Sequence, residues 1–324
     1  MKKHPQNEEA KNIYQDPPSE QLQSIINLYT QGQLQQALSE SRQMLEQFPN
    51  SVVLYNISGV SNAGLMQFDA AIDCYKLALK IKPNYAEAYY NMGVALKDKG
   101  NPEAAIDSYK QALKIKPDYA EAYNNMGNVL KDKGDLDTAI DSFKQALKIK
   151  PDYTEAYNNM AAALNDKGDS EAAIECYKQA LKIKPDYAEA YYNMGAALKD
   201  KGDLESAIDS YKQAINIKPD YAEAYYNLSL LHLLRGNLDE GFKYHEWRLK
   251  IKKPTAAPVR INLIWDGEQS LSGKHFVVYE EQGLGDIIQF CRYLPVLEQK
   301  GANVTFKVKS NLHALLQPMD SKTS

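Results

Sequence analysis

The sequence has few cysteines, almost no net charge and no long hydrophobic run, and each absence excludes a class of protein. Its three cysteines, Cys74, Cys176 and Cys291, are too few and too far apart for a disulfide framework, and they fit a reducing compartment. The 38 basic and 42 acidic residues nearly cancel, so the chain lacks the basic surface of a nucleic-acid-binding protein.

Two further absences concern membranes and metals. No stretch approaches the roughly 18 apolar residues of a membrane-spanning helix, and residues 1–10 lack the apolar core of a secretory signal. The histidines and cysteines show no spacing typical of a metal site, and we expect no cofactor. The sequence therefore predicts a soluble cytoplasmic protein that contacts neither membranes nor nucleic acids.

Tyrosine, in contrast, is abundant, with 23 residues against 7 phenylalanines and 2 tryptophans. This bias indicates one aromatic residue repeated at fixed positions, and a repeat is indeed present. Residues 86–119 and 188–221 differ at only six positions, and proline recurs every 34 residues. A constant period of this length is typical of solenoid proteins, whose units stack on one another. The recurring prolines are Pro83, Pro117, Pro151, Pro185 and Pro219.

One unit, residues 86–119, shows how the repeat is expected to fold. The segment Ala86–Lys99 is rich in helix-forming residues and places its apolar side chains at helical spacing. Glycine, asparagine and proline at positions 100–102 end this helix and start a second one over Glu103–Ile115. Because Pro117 stops the second helix, each unit is predicted to be a helix–turn–helix.

This unit resembles the tetratricopeptide repeat (TPR), and the resemblance covers roughly residues 18–253. It implies an all-α fold, a right-handed superhelix whose concave groove is lined mainly by the first helix of each unit. It also implies a function in holding other proteins or peptides. The signature small residues are Gly93, Ala105 and Ala112, the large ones are Tyr89, Met92, Leu96 and Tyr109, and the terminal proline is Pro117.

Extending the repeat register in both directions predicts seven units. The first is loose, because Ile25 stands where Gly93 stands in the type unit, and we expect it to act as an N-terminal cap. Residues 1–17 are polar and contain proline, so we expect a disordered tail. The units are 18–51, 52–85, 86–119, 120–153, 154–187, 188–221 and a degenerate last one at 222–253.

One stripe of each first helix escapes the packing pattern. In the type unit it contains Glu87, Asn91, Val94 and Asp98, whose spacings of four, three and four place them on one face. An asparagine amide offers both a donor and an acceptor, which suits the backbone of an extended peptide. The predicted peptide-binding residues are Asn91, Asn125, Asn159, Asn193 and Asn227, with Glu87, Glu121, Glu155, Glu189 and Glu223.

The row of asparagines resembles the asparagine ladder of O-linked N-acetylglucosamine transferases, which grips extended protein substrates. The alternative is that each asparagine caps or bridges neighbouring helices. TPR proteins that bind chaperone tails instead use lysine and arginine at groove positions, where this chain has Glu87, Tyr90 and Asn91. We therefore expect a protein-interaction scaffold whose ligand is a neutral or basic extended segment rather than an acidic one.

After residue 253 the pattern changes to that of an α/β protein. Residues 254–273 are predicted to form a linker. Strands are predicted at Phe276–Tyr279 and Val304–Val308, with a helix between them over Ile287–Lys300. Strand, helix and strand in this order indicate a short, incomplete Rossmann-like βαβ piece within residues 274–324.

Roughly residues 241–318 resemble the start of a heptosyltransferase-like glycosyltransferase module, which some bacterial proteins join to TPR units, and residues 281–290 and 292–295 carry the resemblance. The resemblance implies that Asp286 is a general base on the acceptor hydroxyl, although an aspartate here also suits a helix N-cap. Such enzymes need a second domain for the nucleotide sugar, so we expect a truncated module without complete catalysis. The alternative function is the substrate-recruiting N-terminal part of a glycosyltransferase.

Overall fold

The computed structural model describes residues 16–251, 270, 272–279 and 294–307. The chain divides into two compact units, residues 1–250 and residues 251–324. The first unit contains, within its described part, fourteen α-helices in tandem, and a short 3-10 helix, Glu246–Lys250, follows them. No described helix is both long and apolar enough to cross a membrane.

The helices alternate as the first and second members of successive pairs. They are α1 (Ser19–Thr30), α2 (Leu34–Gln47), α3 (Val52–Gly64), α4 (Phe68–Ile81), α5 (Ala86–Asp98), α6 (Pro102–Ile115), α7 (Ala120–Asp132), α8 (Leu136–Ile149), α9 (Thr154–Asp166), α10 (Ser170–Ile183), α11 (Ala188–Lys201), α12 (Leu204–Ile217), α13 (Ala222–Leu234) and α14 (Leu238–His245).

The turn inside each pair follows from two residue types. Gly134 has a φ of 84°, a left-handed conformation that side chains with a Cβ rarely adopt, and it ends α7. Asp135 then begins α8, since its side chain accepts a hydrogen bond from the backbone N–H of Thr138 at 3.3 Å. The same N-cap bond is made by Asn101, Asp169 and Asp203.

The two helices of a pair approach closely because a small residue faces an aromatic ring. Gly127 of α7 lies so near the fully buried ring of Phe143 that a Cβ at this glycine would be 2.7 Å from the ring. Gly93 and Gly195 face Tyr109 and Tyr211 in the same way. The size of this ring therefore sets the distance between the two helices of a pair.

Successive pairs are joined by apolar side chains on the second helices. An isoleucine of each is only 5–7% exposed, where the first helix of the next pair packs against it. In α14 the same position holds Phe242, which is 58% exposed. The buried isoleucines are Ile72, Ile106, Ile140, Ile174 and Ile208.

A row of surface salt bridges also links successive helical pairs, from α4 to α13. In each salt bridge the cation lies at the end of a first helix, and the carboxylate lies 30 residues earlier, at the start of the second helix of the preceding pair. Exposed pairs of this kind each contribute little to stability. The pairs are Lys99–Asp69, Lys133–Glu103 (2.8 Å), Lys167–Asp137 (2.5 Å), Lys201–Glu171 (2.7 Å) and Arg235–Glu205 (3.2 Å).

At the N-terminal end the structure differs from the predicted tail boundary. Residues 16 and 17 are described, and the Asp16 carboxylate accepts a 2.6 Å hydrogen bond from the Ser51 hydroxyl. This bond holds Asp16 at the start of α3. Local composition could not predict it, because the two residues are far apart in sequence. Residues 1–15 of the predicted tail lie outside the described residues. Ile25 of the loose first unit is fully buried.

At the other end, the last helical pair is shortened. Helix α14 has 8 residues, whereas the second helices before it have 14. The Trp247 ring of the following 3-10 helix stacks on Tyr225 of α13 with centroids 4.0 Å apart, and Lys250 lies over the indole at 3.8 Å. The degenerate last repeat is therefore closed by an aromatic stack in place of a full second helix.

In the second compact unit, the described residues form two strands and a helix. Strand β1 (His275–Tyr279) pairs in parallel with β2 (Asn303–Lys307), with His275 opposite Asn303, and α15 (Leu294–Gln299) lies between them in sequence. The His275 ring and the Thr305 hydroxyl are 2.8 Å apart across the pair. Residues 252–269, 280–293 and 308–324 lie outside the described part, so the Rossmann-like assignment stays a prediction.

The contact between Gly127 and Phe143 predicts a specific destabilisation. We expect Gly127→Val to lower the free energy of unfolding by about 1–3 kcal/mol, because the added atoms must displace a buried ring. Urea unfolding followed by circular dichroism measures this change. The control is Asn128→Val, which puts the same branched side chain on a half-buried position of α7 and should cost below about 1 kcal/mol. Equal losses in both variants would contradict the ring-contact explanation.

Candidate functional site

The first helices of successive pairs lie side by side. Along the chain α1 contacts α3, α3 contacts α5, α5 contacts α7, α7 contacts α9, and α9 contacts α11. Residues at one position of the 34-residue unit therefore form a row that runs from helix to helix. The predicted asparagines and glutamates occupy two such rows, and we call the surface that carries them the first-helix face.

The five predicted asparagines all bridge neighbouring helices. Each amide donates a hydrogen bond to a side chain 35 residues earlier, on the preceding first helix. The bonds run from Asn91 Nδ2 to Asn56 Oδ1 (3.0 Å), Asn125 Nδ2 to Tyr90 Oη (2.9 Å), Asn159 Nδ2 to Asn124 Oδ1 (3.1 Å), Asn193 Nδ2 to Asn158 Oδ1 (3.2 Å) and Asn227 Nδ2 to Tyr192 Oη (3.1 Å).

The sequence analysis did not predict which residues accept these hydrogen bonds. They stand one position before the asparagine row, where the units from residue 52 onward carry either asparagine or tyrosine. Both residue types present an oxygen that accepts a hydrogen bond, which is the property the position retains. The available signal was this restriction to two residue types, and the acceptors are Asn56, Tyr90, Asn124, Asn158 and Tyr192.

The bridges use only part of each amide. An asparagine side chain has two N–H groups and an oxygen with two lone pairs, and the bridge uses one N–H. The five asparagines are half-buried, so solvent reaches part of each side chain. Bridging therefore holds the amides in one orientation and leaves hydrogen-bonding capacity on the first-helix face.

The glutamate row lies at the start of the first helices. Its members sit in the first helical turn, where a carboxylate interacts favourably with the helix dipole. Within residues 16–251, none of the five is paired with a lysine or arginine. Glu121 is half-buried and the others are exposed, namely Glu87, Glu155, Glu189 and Glu223.

Aspartates form a third row near the ends of the same helices. Asp98 lies 3.1 Å from Lys97, and Asp132 lies 3.3 Å from Lys131. In α11, Asp200 lies 3.8 Å from Lys199 and also accepts a hydrogen bond from Asn165 at 3.1 Å. Together the glutamate and aspartate rows place nine carboxylates on α5, α7, α9, α11 and α13, and three of the aspartates are paired with the lysine that precedes them.

Tyrosines that follow the recurring prolines border the glutamate row. The Tyr119 ring packs 4.9 Å from that of Tyr90, and the Lys116 ammonium lies over it at 4.4 Å. Burial raises the pKa of Tyr119, and the nearby groups Tyr90 and Glu87 add to the rise. Burial, assisted by the Glu121 carboxylate, raises the pKa of Tyr153 to about 12. Tyr119 and Tyr153 are both half-buried.

The predicted catalytic residue and possible metal ligands remain to be located. Asp286, the predicted general base, lies outside the described residues. Among the described residues, no group of three or more histidines, cysteines, aspartates or glutamates is placed to hold a metal ion.

Comparison with known proteins places the helical pairs in one family. A family model described as TPR repeat matches residues 67–100, 95–134, 127–168, 161–202 and 195–236, which together span 170 of the 324 residues. No curated protein matches the sequence. The matches to this model end at residue 236, before the predicted glycosyltransferase-like piece.

Several solved structures are similar. A crystal structure of MamA is 30% identical with a TM-score of 0.47, and the match covers 51% of this chain and 96% of that one. The Cut9–Hcn1 hetero-tetramer of the APC/C is 16% identical with a TM-score of 0.60, covering 73% and 46%. PilF of Pseudomonas aeruginosa is 19% identical with a TM-score of 0.55, covering 62% and 91%. The last two likenesses show the fold alone.

The bond between Asn125 and Tyr90 predicts a measurable coupling between two helices. We expect Asn125→Ala to lower the unfolding free energy by about 1 kcal/mol, since it removes an inter-repeat hydrogen bond. A double-mutant cycle with Tyr90→Phe should give a coupling energy of about 0.5–1.5 kcal/mol in urea unfolding. Fully additive losses would show that the bond contributes nothing. Asn128→Ala, on the same helix, serves as the uncoupled control.

The raised tyrosine pKa values predict a loss of stability at high pH. An unfolded tyrosine titrates near pH 10, whereas Tyr153 titrates at about 12 in the folded chain. Between these values the folded state holds more protons than the unfolded state, so the unfolding free energy falls as the pH rises. Urea unfolding at several pH values from about 8 to 11.5 measures the slope, and Tyr153→Phe should make it shallower. A pH-independent unfolding free energy would contradict this.

Proposed function

Since the chain belongs to the TPR repeat family, we propose that it is a protein-interaction scaffold that holds an extended segment of a partner protein. The first-helix face is the proposed binding surface. The observation that carries the proposal is the row of half-buried amides, each held in place by a bond to the preceding helix. A held amide binds a peptide backbone without first losing side-chain freedom, which favours affinity.

The spacing of the row suits an extended chain. Packed helices lie about 8–10 Å apart, and an extended peptide advances about 3.3 Å per residue. One helical pair therefore corresponds to about three residues of ligand. Because each amide supplies both a donor and an acceptor, it pairs with a backbone of any sequence. Units as similar as residues 86–119 and 188–221 further imply binding that tolerates shifts of the ligand along the row.

Charge favours a neutral or basic segment over an acidic one. Within residues 16–251, only three of the nine carboxylates of the glutamate and aspartate rows are paired with a lysine, and none of the glutamates is paired with a lysine or arginine. An acidic ligand would meet these carboxylates at short range and pay the repulsion of like charges. A lysine or arginine side chain of the ligand would supply a cationic partner, which none of these glutamates has within residues 16–251.

The glycosyltransferase alternative stays a prediction from the sequence. Of the residues that carry it, 281–290, 292 and 293 lie outside the described part of the chain. No observation on the described residues favours catalysis, so we do not propose an enzymatic function. The cytoplasmic location likewise stays a prediction.

Binding can be tested with an array of extended peptides and with fluorescence anisotropy on the best binders. We expect neutral and basic peptides to bind and the triple variant Asn125→Ala, Asn159→Ala, Asn193→Ala to weaken binding about a hundredfold. The reason is the loss of several hydrogen bonds of about 1 kcal/mol each, with 1.4 kcal/mol corresponding to a factor of ten.

The matched control is Gln111→Ala, Gln145→Ala, Gln213→Ala, which removes three exposed amides from the second helices. It should leave affinity unchanged. Circular dichroism checks that both variants remain folded at the binding temperature. Tight binding of a strongly acidic peptide that the asparagine variant abolishes would overturn the proposed charge preference. An array without any asparagine-dependent binder would overturn the scaffold function itself.

A further inference from the structure

The first-helix face changes character at its C-terminal end. In α7 the two positions that continue the stripe after the asparagine hold Asn128 and Asp132, both polar. In α13 the same two positions hold Leu230 and Leu234. Their side chains are 42% and 70% exposed, so the acidic row ends on two uncovered leucines.

These leucines are not part of the core. Helix α13 already buries an apolar face through Leu228 and Leu231, which are 1% and 2% exposed. Leu230 and Leu234 lie on another side of the helix, four residues apart, and so form one adjacent pair. A helix with apolar residues on both sides is normally covered on both sides. Within the described residues, nothing covers this second side.

The preceding helices show that Leu234 is the departure, because the position of Leu230 already holds Val94, Ala162 and Ala196 in three of them. At the position of Leu234 they carry Asp98, Asp132, Asp166 and Asp200, all charged, so an aspartate suits this site sterically and by helix geometry. Leucine here exposes apolar surface to water without adding to the core, which costs free energy unless a ligand covers it. Leucine at this position therefore indicates a surface that a ligand covers.

From this juxtaposition we propose that the segment bound on the first-helix face carries a cluster of basic residues followed, at one end, by apolar side chains that cover Leu230 and Leu234. The inference rests on the proposed scaffold function. Charge complementarity selects the occupant: the carboxylate rows of α5 to α11 face the basic part, and the leucine pair continues the same face without a break.

The geometry sets the length of such a segment. From α5 to α13 there are four steps between first helices, and each step of about 10 Å corresponds to about three extended residues. A segment of about 12 residues therefore spans the carboxylate rows and places its end over the leucine pair. An isolated apolar residue, without the basic part, would gain only the burial of two leucines.

The test compares labelled synthetic peptides by fluorescence anisotropy on the full chain. One peptide contains four Lys-Ser-Ala triplets, and two others add a pair of leucines at its N-terminal or C-terminal end. We expect one of the extended peptides to bind about tenfold more tightly than the plain one, as covering partly exposed leucines predicts. The double variant Leu230→Asn, Leu234→Asp, which copies the residues of α7, should abolish this gain and leave binding of the plain peptide unchanged or slightly tighter.

Leu77→Gln is the matched control, because Leu77 is 44% exposed on α4 and other second helices carry glutamine at its position. It should retain the tenfold gain. If the plain peptide binds and neither leucine pair improves it, the inference fails while the scaffold function stands. If no peptide binds, both fail. If sedimentation shows that the leucine pair joins two copies of the chain and the double variant is monomeric, the occupant is a second copy and the inference is overturned.

Discussion

The contact on which the helical array depends is the one between a small residue of a first helix and an aromatic ring of the second, from the pair α3–α4 to the pair α11–α12. Gly93, Gly127 and Gly195 have no side chain, so the aromatic ring packs directly against the backbone of the first helix. Where Ala161 replaces the glycine, Tyr177 remains 2% exposed, so an alanine also fits. Because this spacing recurs from pair to pair, each pair presents the same outer surface to the next, and stacking repeats without adjustment.

Because the helical pairs stack regularly, residues that recur every 34 positions in the sequence form rows on the surface. The asparagines, glutamates and aspartates of the first helices come together because equal units are placed at equal steps, and a ligand would meet the same chemistry at each step. The amide bridges belong to both structure and proposed function. They join neighbouring pairs and at the same time orient the groups that a peptide backbone would bind. One N–H of each asparagine bridges two helices, and the rest of the amide stays available for a ligand.

The helices could be predicted from the sequence because helical spacing, glycine and proline are local signals. The predicted pair Ala86–Lys99 and Glu103–Ile115 corresponds to Ala86–Asp98 and Pro102–Ile115 in the structure. Two features could not be predicted in this way. The hydrogen bond of Asp16 to Ser51 joins residues far apart in sequence, and the shortened α14 with its Trp247 stack depends on what packs against α13.

The sequence by itself determined the repeat length, the pairing of helices and the residues that share one face, since these follow from a 34-residue period and from helix geometry. Only the tertiary structure decided what those residues touch. Within the described residues, Leu230 and Leu234 of α13 are exposed. Each of the five asparagines bonds to a residue 35 positions earlier, which depends on how far one pair is shifted relative to its neighbour. That shift results from side-chain packing between pairs and has no signature in the sequence of a single unit.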